Sequence, residues 1–340
     1  MRFHKMLTTV DLHTAGMPVR IVTGGIPNIP GKTMPEKRDF ARQNLNHLAT
    51  AILNEPRGHT DMWACIMTPP VTDGAAFGLI FLSAGGFRDM CGHGSIGAAT
   101  LAVEIGIVET REPETEVAID VPAGLIRVRV SVENGKVRSG TLQNVPSFLY
   151  KSGVIKVPRL GELPVDIAFG GNFYAIIEAK DLGIKSDVAS IKGVYTSGLF
   201  EEIIESINKQ VQIQHPEKDY IKGLSAILIS DKVTNPEAEA RDTVKNILML
   251  GNNCIDRSPC GSGTSSRVAT HYAKGKLRLG ETLVTESIIG SRFHAKAVKE
   301  VSVGSIKAII PEVTGRAFVT GMHTFVMDED DPYKYGFRLK

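Results

Sequence analysis

The stretch Asp89-Met90-Cys91-Gly92-His93-Gly94-Ser95-Ile96-Gly97, continued by the apolar run AATLAVEIGI, decides how this chain is read. Gly92, Gly94 and Gly97 leave the backbone bare at the start of a helix, where the first N–H groups have no intrahelical acceptor and the dipole favours negative charge. The same field stabilises a thiolate over a thiol, so a cysteine placed there is a candidate nucleophile or base. Ile96, Ala98, Ala99, Leu101, Ala102, Val103 and Ile105 make the helix apolar nearly all round, with Glu104 its only charge, and predict a path through a core. Taken alone, such a cysteine is more often a small buried hydrophobe.

A second copy of the device argues otherwise. Asp256-Arg257-Ser258-Pro259-Cys260-Gly261-Ser262-Gly263-Thr264 again sets a cysteine before glycine and small hydroxyl residues and leads into the helical pattern SSRVATHYAKGKL. Pro259 and the hydroxyl cluster suit a helix entry, Gly275 its exit, and Val268, Ala269, Tyr272 and Ala273 an apolar stripe. Two thiols at two helix N-termini are suited to flank one small anionic ligand whose carboxylate takes backbone N–H groups from both.

The rest of the chain sets limits on function. With 340 residues and a formal net charge of +2, it has the length of two ordinary domains and no basic tract asking for nucleic acid. No apolar run is long enough to span a bilayer, and MRFHKMLTTVDLHT lacks the features of a signal peptide, so a cytoplasmic protein without membrane partners is expected. Four cysteines, Cys65, Cys91, Cys254 and Cys260, do not make a disulfide framework in a chain of this length, and free thiols fit a reducing compartment.

Along the chain, MLTTVDLH and PVRIVTG read as a hairpin joined through Thr14-Ala15-Gly16-Met17-Pro18, with His13 in a structural hydrogen-bonding role. A helix follows from Thr33, whose pairing with Glu36 has the capping-box pattern, through Phe40, Leu45, Leu48, Ala49 and Ile52 to the break at Asn54-Glu55-Pro56-Arg57-Gly58. GHTDMWACIMTPP, with Trp63 as core or pocket wall, and GLIFLSAGGF are strands that deliver the chain to Cys91; EVAIDVPAGLIRVRVSVENGKVRSGTLQNVPSF is a run of strands with Gly and Asn-Gly turns. The pattern then restarts. VDIAFGGNFYAIIEA has the layout of the opening hairpin, and Phe200, Ile203, Ile204, Ile207 and Val211 carry helical spacing. SAILIS and VKNILML lead to Cys260, and LVTESIIG, RFHAKAV and RAFVTGMHTFV close the second half. The reading is an internal duplication: two similar α+β domains, residues 1–148 joined by the tail 320–340, and residues 149–319, with a ligand site in the cleft between them.

MCGHGSIG and DRSPCGSGTSSRVA, with DLHTAGMPVRIV, NEPRGH, NVPSFLY and DIAFGGNFYAII around them, resemble the proline racemase family, which also contains hydroxyproline 2-epimerases and a dehydratase branch. The resemblance spans essentially the whole chain. It implies the fold shared with diaminopimelate epimerase, two pseudo-symmetric α+β domains each wrapping a sheet around a central helix, and a homodimer acting on a small amino acid without pyridoxal phosphate, metal or other cofactor. It implies that Cys91 and Cys260 are the two acid/base groups on opposite faces of the α-carbon, titrating as a coupled pair. Backbone N–H groups near His93, Gly94, Gly261 and Ser262 would hold the carboxylate, and His93 and Asp256 would stand beside the ring nitrogen and the thiols. Preorganised donors of that kind are worth roughly 3 kcal/mol apiece in other enzymes.

Dehydratase relatives typically carry threonine or serine at the first cysteine position, so the two thiols favour racemisation or epimerisation, of proline before 4-hydroxyproline. Where proline-specific relatives commonly place an aromatic, a leucine and another aromatic, this chain has Trp63, Arg88 and Leu250. Arg88 either reaches the pocket, receiving a hydroxyl or a second acidic group, or faces solvent paired with Asp89. Met17 stands where the family more often has glutamate. Two other classes remain open: a zinc protein using Cys91, His93, Cys254 and Cys260, against which the tight Cys-Gly-His spacing argues, and a redox or non-catalytic thiol protein binding a small carboxylate.

Overall fold

The computed structural model describes residues 3–59, 61–83, 86–224, 226–251 and 253–338. Thr60, the Ala84-Gly85 step of GLIFLSAGGF and Ser225 of SAILIS lie outside the described residues. The hairpin β1 (Phe3–Thr14) and β2 (Met17–Gly24) closes through Ala15 and Gly16, both at positive φ (50° and 89°), which gives the turn a twist matching that of its strands. His13 Nδ1 accepts the Gly16 N–H at 3.2 Å, the structural role expected of it.

Thr33 caps α1 (Met34–Asn44) by accepting the Glu36 N–H, while the Glu36 carboxylate accepts from Lys32. The helix expected to continue to Ile52 breaks at Leu45 (φ −117°, ψ 9°) and restarts as α2 (Asn46–Leu53). Asn44 and Asn46 flank the break, and the Asn44 amide turns back onto the Phe40 carbonyl, the local competition that makes asparagine a poor helix-interior residue. Next come β3 (Trp63–Thr68), β4 (Phe77–Ser83), β5 (Gly86–Arg88), α3 (Gly92–Glu104), β6 (Glu114–Val121), β7 (Gly124–Glu133) and β8 (Lys136–Gln143). Helix α3 is buried from Gly92 to Val103 and touches β1, β2, β3, β6 and β7. Gly97 lets it approach the sheet: a β-carbon there would lie 3.2 Å from Val19 and 3.3 Å from Thr14.

The second half runs β9 (Phe148–Val157), β10 (Gly161–Phe169), β11 (Phe173–Glu178), α4 (Val188–Thr196), α5 (Leu199–Gln210), β12 (Ala226–Lys232), β13 (Asp242–Leu250), β14 (Cys254–Ile255), α6 (Gly261–Ala273), β15 (Thr282–Glu286), β16 (Arg292–Val303) and β17 (Ile306–Gly315). Strand β18 (Ala317–Asp328) then returns to pair antiparallel with β1 along its length. The chain accordingly divides into one unit of Met1–Leu142 with Gly315–Lys340 and another of Gln143–Thr314.

The pairings repeat. In the first unit β1–β2 is antiparallel, β2–β3 parallel, β3–β4 antiparallel, β4–β6 parallel and β6–β7 antiparallel. In the second, β10–β11, β11–β12, β12–β13, β13–β15 and β15–β16 follow the same alternation. Each unit is thus an α+β layer arrangement with a sheet around one central helix, α3 or α6, the pseudo-symmetric class expected.

The two central helices differ in chemistry. Tyr272 and Ala273 do not join Val268 and Ala269 in the core as expected; α6 buries Thr264, Ser265, Ser266, Arg267, Thr270 and His271 instead. Its hydroxyls bond back to carbonyls one turn earlier, Ser265 to Gly261, Ser266 to Ser262 and Thr270 to Ser266, which satisfies them inside the core. In the first unit, Leu7, Val22, Ile66, Ile80 and Leu82 meet Met34, Ala41, Leu48 and Ile52 from α1 and α2.

Several motif residues outside the cysteine stretches are structural. Arg20 is buried, pairs with Asp11 at 2.8 Å, donates to the Ile52 and Arg57 carbonyls at 2.6 Å each and lies over the Phe325 ring. Arg57 in turn donates to the Val326 and Lys334 carbonyls. The DLHTAGMPVRIV and NEPRGH motifs form a clasp tying the hairpin to α2 and to the C-terminal segment.

Candidate active site

Cys91 occupies the N-cap position of α3 with extended backbone (φ −147°, ψ 106°), and its sulfur accepts the Gly94 N–H at 3.3 Å. The thiol is 2% exposed, and the His93 ring stands beside it, Nδ1 at 3.5 Å and Nε2 at 3.6 Å. Burial pushes the His93 pKa down to about 3, so its imidazole is neutral at physiological pH. Two contacts fix His93: Thr14 Oγ1 donates to its carbonyl at 2.8 Å, and Trp63 meets its ring edge-on with centroids 5.1 Å apart. A β-carbon on Gly94 would come 3.0 Å from both the Cys91 and the Cys65 sulfur, so this glycine leaves room for two thiols. Burial raises the Cys65 thiol far above its ordinary range, which makes it an inert core group.

Cys260 is the N-cap of α6, and its sulfur accepts the Gly263 N–H at 3.1 Å, the same bond one repeat later. Its backbone differs from that of Cys91. At φ 64°, ψ 111° it lies in a region that side-chain-bearing residues rarely adopt, a strain of the order of 1–3 kcal/mol of the kind that collects at functional sites. A relay holds it: the Cys260 N–H donates to Ser258 Oγ at 3.1 Å, while the Ser258 hydroxyl and N–H donate to Asp256 Oδ1 at 2.9 and 2.7 Å. Asp256, expected beside the substrate nitrogen, uses one carboxylate oxygen to set the cysteine loop. The Tyr174 hydroxyl lies 2.6 Å from Ser262 Oγ and 3.8 Å from the Cys260 sulfur, and Ser262 Oγ lies 3.7 Å from that sulfur.

The helix-terminus argument predicts a lowered thiol pKa, and at Cys260 the opposite balance holds. Burial, with the Asp256 charge added, pushes the thiol up to about 12, although the Gly263 N–H and the Ser262 and Tyr174 hydroxyls pull it down. That balance favours the thiol form of Cys260 at neutral pH.

In both helices the third N–H, from Gly94 and Gly263, is taken by the cysteine sulfur. The first two, from Gly92 and His93 in α3 and from Gly261 and Ser262 in α6, have no intrahelical acceptor and are the ones suited to a carboxylate. Gly170 permits the α6 entry, since a β-carbon on it would stand 2.2 Å from the Ser262 carbonyl oxygen. Asn144 braces the same place, donating to the Gly170 carbonyl at 2.7 Å and to Ser265 Oγ at 2.9 Å.

Of the residues singled out as pocket wall, Trp63 is buried against His93. Leu250 ends β13, and its carbonyl accepts the Tyr195 hydroxyl at 2.7 Å. Arg88 is half-buried on β5 and donates to Ser83 Oγ at 3.3 Å. Its expected alternative partner Asp89 is instead held by Arg38. Met17 is fully buried at the start of β2. Tyr174 and Ser258 were not singled out by sequence reasoning; a tyrosine inside an apolar strand and a serine within a turn carry no signal of their own. Among the described residues, no group of three or more His, Cys, Asp or Glu side chains is arranged to hold a metal ion, and none of the four cysteines is in a disulfide. No helix among the described residues is long and apolar enough to cross a membrane.

Comparison with known proteins adds three findings. The family model described as proline racemase matches residues 9–338. A proline racemase of Acetoanaerobium sticklandii is 47% identical over 341 residues, covering 100% of both chains, and a 4-hydroxyproline 2-epimerase of Streptosporangium roseum is 40% identical over 342 residues, again covering 100% of both. The crystal structure of a hydroxyproline epimerase from Agrobacterium vitis with bound trans-4-hydroxy-L-proline superposes with a TM-score of 0.92 at 30% identity, covering 100% of this chain and 96% of that one.

Proposed function

The chain belongs to the proline racemase family and is an isomerase of the proline and hydroxyproline racemase or epimerase class, and from that premise we propose that it racemises free proline with Cys91 and Cys260 as its two bases. The observation that carries the reading is the repeated bond from the third N–H of each central helix to the sulfur at its N-cap, Gly94 to Cys91 and Gly263 to Cys260.

Inversion at the α-carbon requires that a proton leave one face and another arrive at the opposite face. One sulfur accepts the α-proton as thiolate while the other delivers its own as thiol; the roles exchange when the product is the next substrate. Cys260 rests as the thiol, since burial and the Asp256 charge hold its proton, and Cys91 takes the α-proton in the first direction. The N–H groups of Gly92, His93, Gly261 and Ser262 stabilise the carboxylate as charge grows on it in the carbanion-like transition state. Neutral His93 and carboxylate Asp256 stand by the two thiols. Trp63, Arg88 and Leu250 are the residues we assign to setting the ring substituent, and the 47% identity to a proline racemase, against 40% to a 4-hydroxyproline 2-epimerase, supports proline as the substrate. The protein works in the cytoplasm as a homodimer without a cofactor.

The second reading is 4-hydroxyproline 2-epimerisation, favoured by Arg88, a donor able to meet a ring hydroxyl. Supplying L-proline, trans-4-hydroxy-L-proline and cis-4-hydroxy-D-proline separately and following optical rotation decides between the two. Turnover of L-proline at the highest kcat/KM supports the proposal; inversion of the hydroxylated substrates alone replaces it with the second reading.

A further inference from the structure

Behind the cysteine-bearing end of α6, the second unit contains a cavity of about 770 Å3 that the proposed reaction does not use. Arg267, Thr270, His271 and Lys274 line it from one stripe of α6, at the i, i+3, i+4, i+7 spacing that places side chains on one helix face. Strands β10, β11, β12 and β13 supply the opposite wall, with Ser230 and Thr243 as buried hydroxyl residues. Ligand pockets have volumes of roughly 300–1,000 Å3, so the size is that of a binding site rather than a packing defect.

Arg267 sets the chemistry. It is 3% exposed, and its Nε and Nη2 have no hydrogen-bond partner. These two nitrogens form the edge of the guanidinium that binds a carboxylate through two parallel bonds. The acidic groups whose charges act on Arg267 are Glu178, Asp166 and Asp242. Asp166 is engaged, since it accepts from Lys274 Nζ at 2.7 Å and from Ser152 Oγ at 2.6 Å. Asp242 approaches His271 Nδ1 only at 3.8 Å, and burial keeps that imidazole neutral with a pKa of about 3. Thus a buried cation lacks an acceptor at the floor, while Glu178 and Asp242 bring exposed carboxylates to the mouth.

An unpaired buried charge is costly, and turning the Nε–Nη2 edge of Arg267 toward the cavity gives up no hydrogen bond at those two atoms. The lining as a whole carries five lysines and arginines against five aspartates and glutamates, a balance that repels a polyanion but accommodates a ligand bearing both signs. We propose that this cavity is a second ligand site, for a small amino carboxylate whose carboxylate docks on Arg267 and whose ammonium faces Glu178 and Asp242. The proposal stands apart from the racemase reading, because none of its residues belongs to either cysteine loop.

The test is a titration of the full-length 15N-labelled protein, following the arginine Nε–Hε signals, with the Arg267 signal identified by its loss in Arg267→Lys. Glycine, 4-aminobutyrate and 6-aminohexanoate probe the spacing of the two charged subsites; acetate and sulfate probe an anion alone. The expected result is a saturable shift of the Arg267 signal with at least one amino carboxylate, at least tenfold tighter than with acetate or sulfate. Glu178→Gln should weaken that amino carboxylate several-fold without weakening acetate. Absence of a saturable shift with every amino carboxylate overturns the proposal, and so does equal or tighter binding of acetate or sulfate, which would make the cavity a simple anion site.

Discussion

The Tyr174 hydroxyl and Ser262 Oγ lie 2.6 Å apart, and both come within 3.8 Å of the Cys260 sulfur. The tyrosine arrives from β11 and the serine from the first turn of α6, so the thiol is flanked by two hydroxyls fixed on different elements. Both favour the thiolate, against the burial and the Asp256 charge that oppose it. Tyr174→Phe removes one of them without changing the shape of the core. The expected outcome is a kcat about tenfold lower, corresponding to one hydrogen bond of about 1.4 kcal/mol. In the direction in which Cys260 is the base, the rising limb of the pH–rate profile should also move to higher pH, because the thiol loses a group that lowers its pKa; in the direction in which it is the acid, the falling limb should move the same way. A pH–rate profile of the variant in both directions measures this; an unshifted limb would make the tyrosine a packing residue.

Gly170 reports on backbone approach. A β-carbon there would meet the Ser262 carbonyl oxygen at 2.2 Å and Ser266 Oγ at 2.7 Å, and neither neighbour has room to yield without moving the entry of α6. Gly170→Ala should cost about 1–3 kcal/mol of stability by overpacking and lower activity by more than the stability loss explains. Thermal unfolding alongside kcat/KM at a temperature where the variant is fully folded separates the two effects.

Arg20 is the centre of the clasp in the first unit, with Asp11 and the Ile52 and Arg57 carbonyls as its partners. Arg20→Met takes this donor from the Ile52 and Arg57 carbonyls and leaves the half-buried Asp11 with the longer Thr9 and His323 contacts at 3.4 and 3.5 Å, and breaking a buried pair on one side costs about 3–5 kcal/mol. Chemical denaturation should show that loss in the midpoint. The double variant Arg20→Met with Asp11→Leu should recover part of it, because the second change removes the stranded carboxylate.

Acid stability follows from the buried histidines. His93 and His271 have folded-state pKa values of about 3, below the ordinary value of 6.5, because burial disfavours the imidazolium. A depressed pKa means that the unfolded chain binds the proton more readily, so stability is fully present above pH 6.5 and is lost as pH falls toward 3. Each such histidine contributes a slope of about 1.4 kcal/mol per pH unit across that window. Urea midpoints between pH 7 and pH 4 should fall accordingly, and His271→Gln should flatten the curve by roughly one proton's worth of slope.

Much of this architecture is legible in the sequence because it rests on local signals. Ala15-Gly16 is a turn that only two residues at positive φ can make, and the two cysteine-glycine helix entries announce themselves through glycine spacing. The duplication is visible for the same reason: each half repeats a hairpin, a helix and a cysteine loop in order. What stayed hidden depends on long-range packing. The break between α1 and α2 is a contest between two asparagines and an apolar stripe, which periodicity alone reads as continuous. The exposed alternation of β9 and the short α4 carry weak patterns. At the site, the strained backbone of Cys260 comes from a Ser258–Asp256 relay that spacing does not reveal, and its raised pKa comes from burial that outweighs the helix terminus. Tyr174 reaches the thiol from 86 residues away in sequence. Arg267 was legible only as one polar residue in a helix expected to show an apolar stripe.

The central claim is that two thiols act on one α-carbon from opposite faces, and the fate of solvent hydrogen tests it most directly. With L-proline in D2O and the reaction stopped at early conversion, the account predicts D-proline carrying deuterium at the α-carbon while the remaining L-proline keeps protium, and Cys91→Ser and Cys260→Ser each nearly abolish inversion. Deuterium entering L-proline as fast as D-proline forms, or one serine variant inverting at near the native rate, would contradict it.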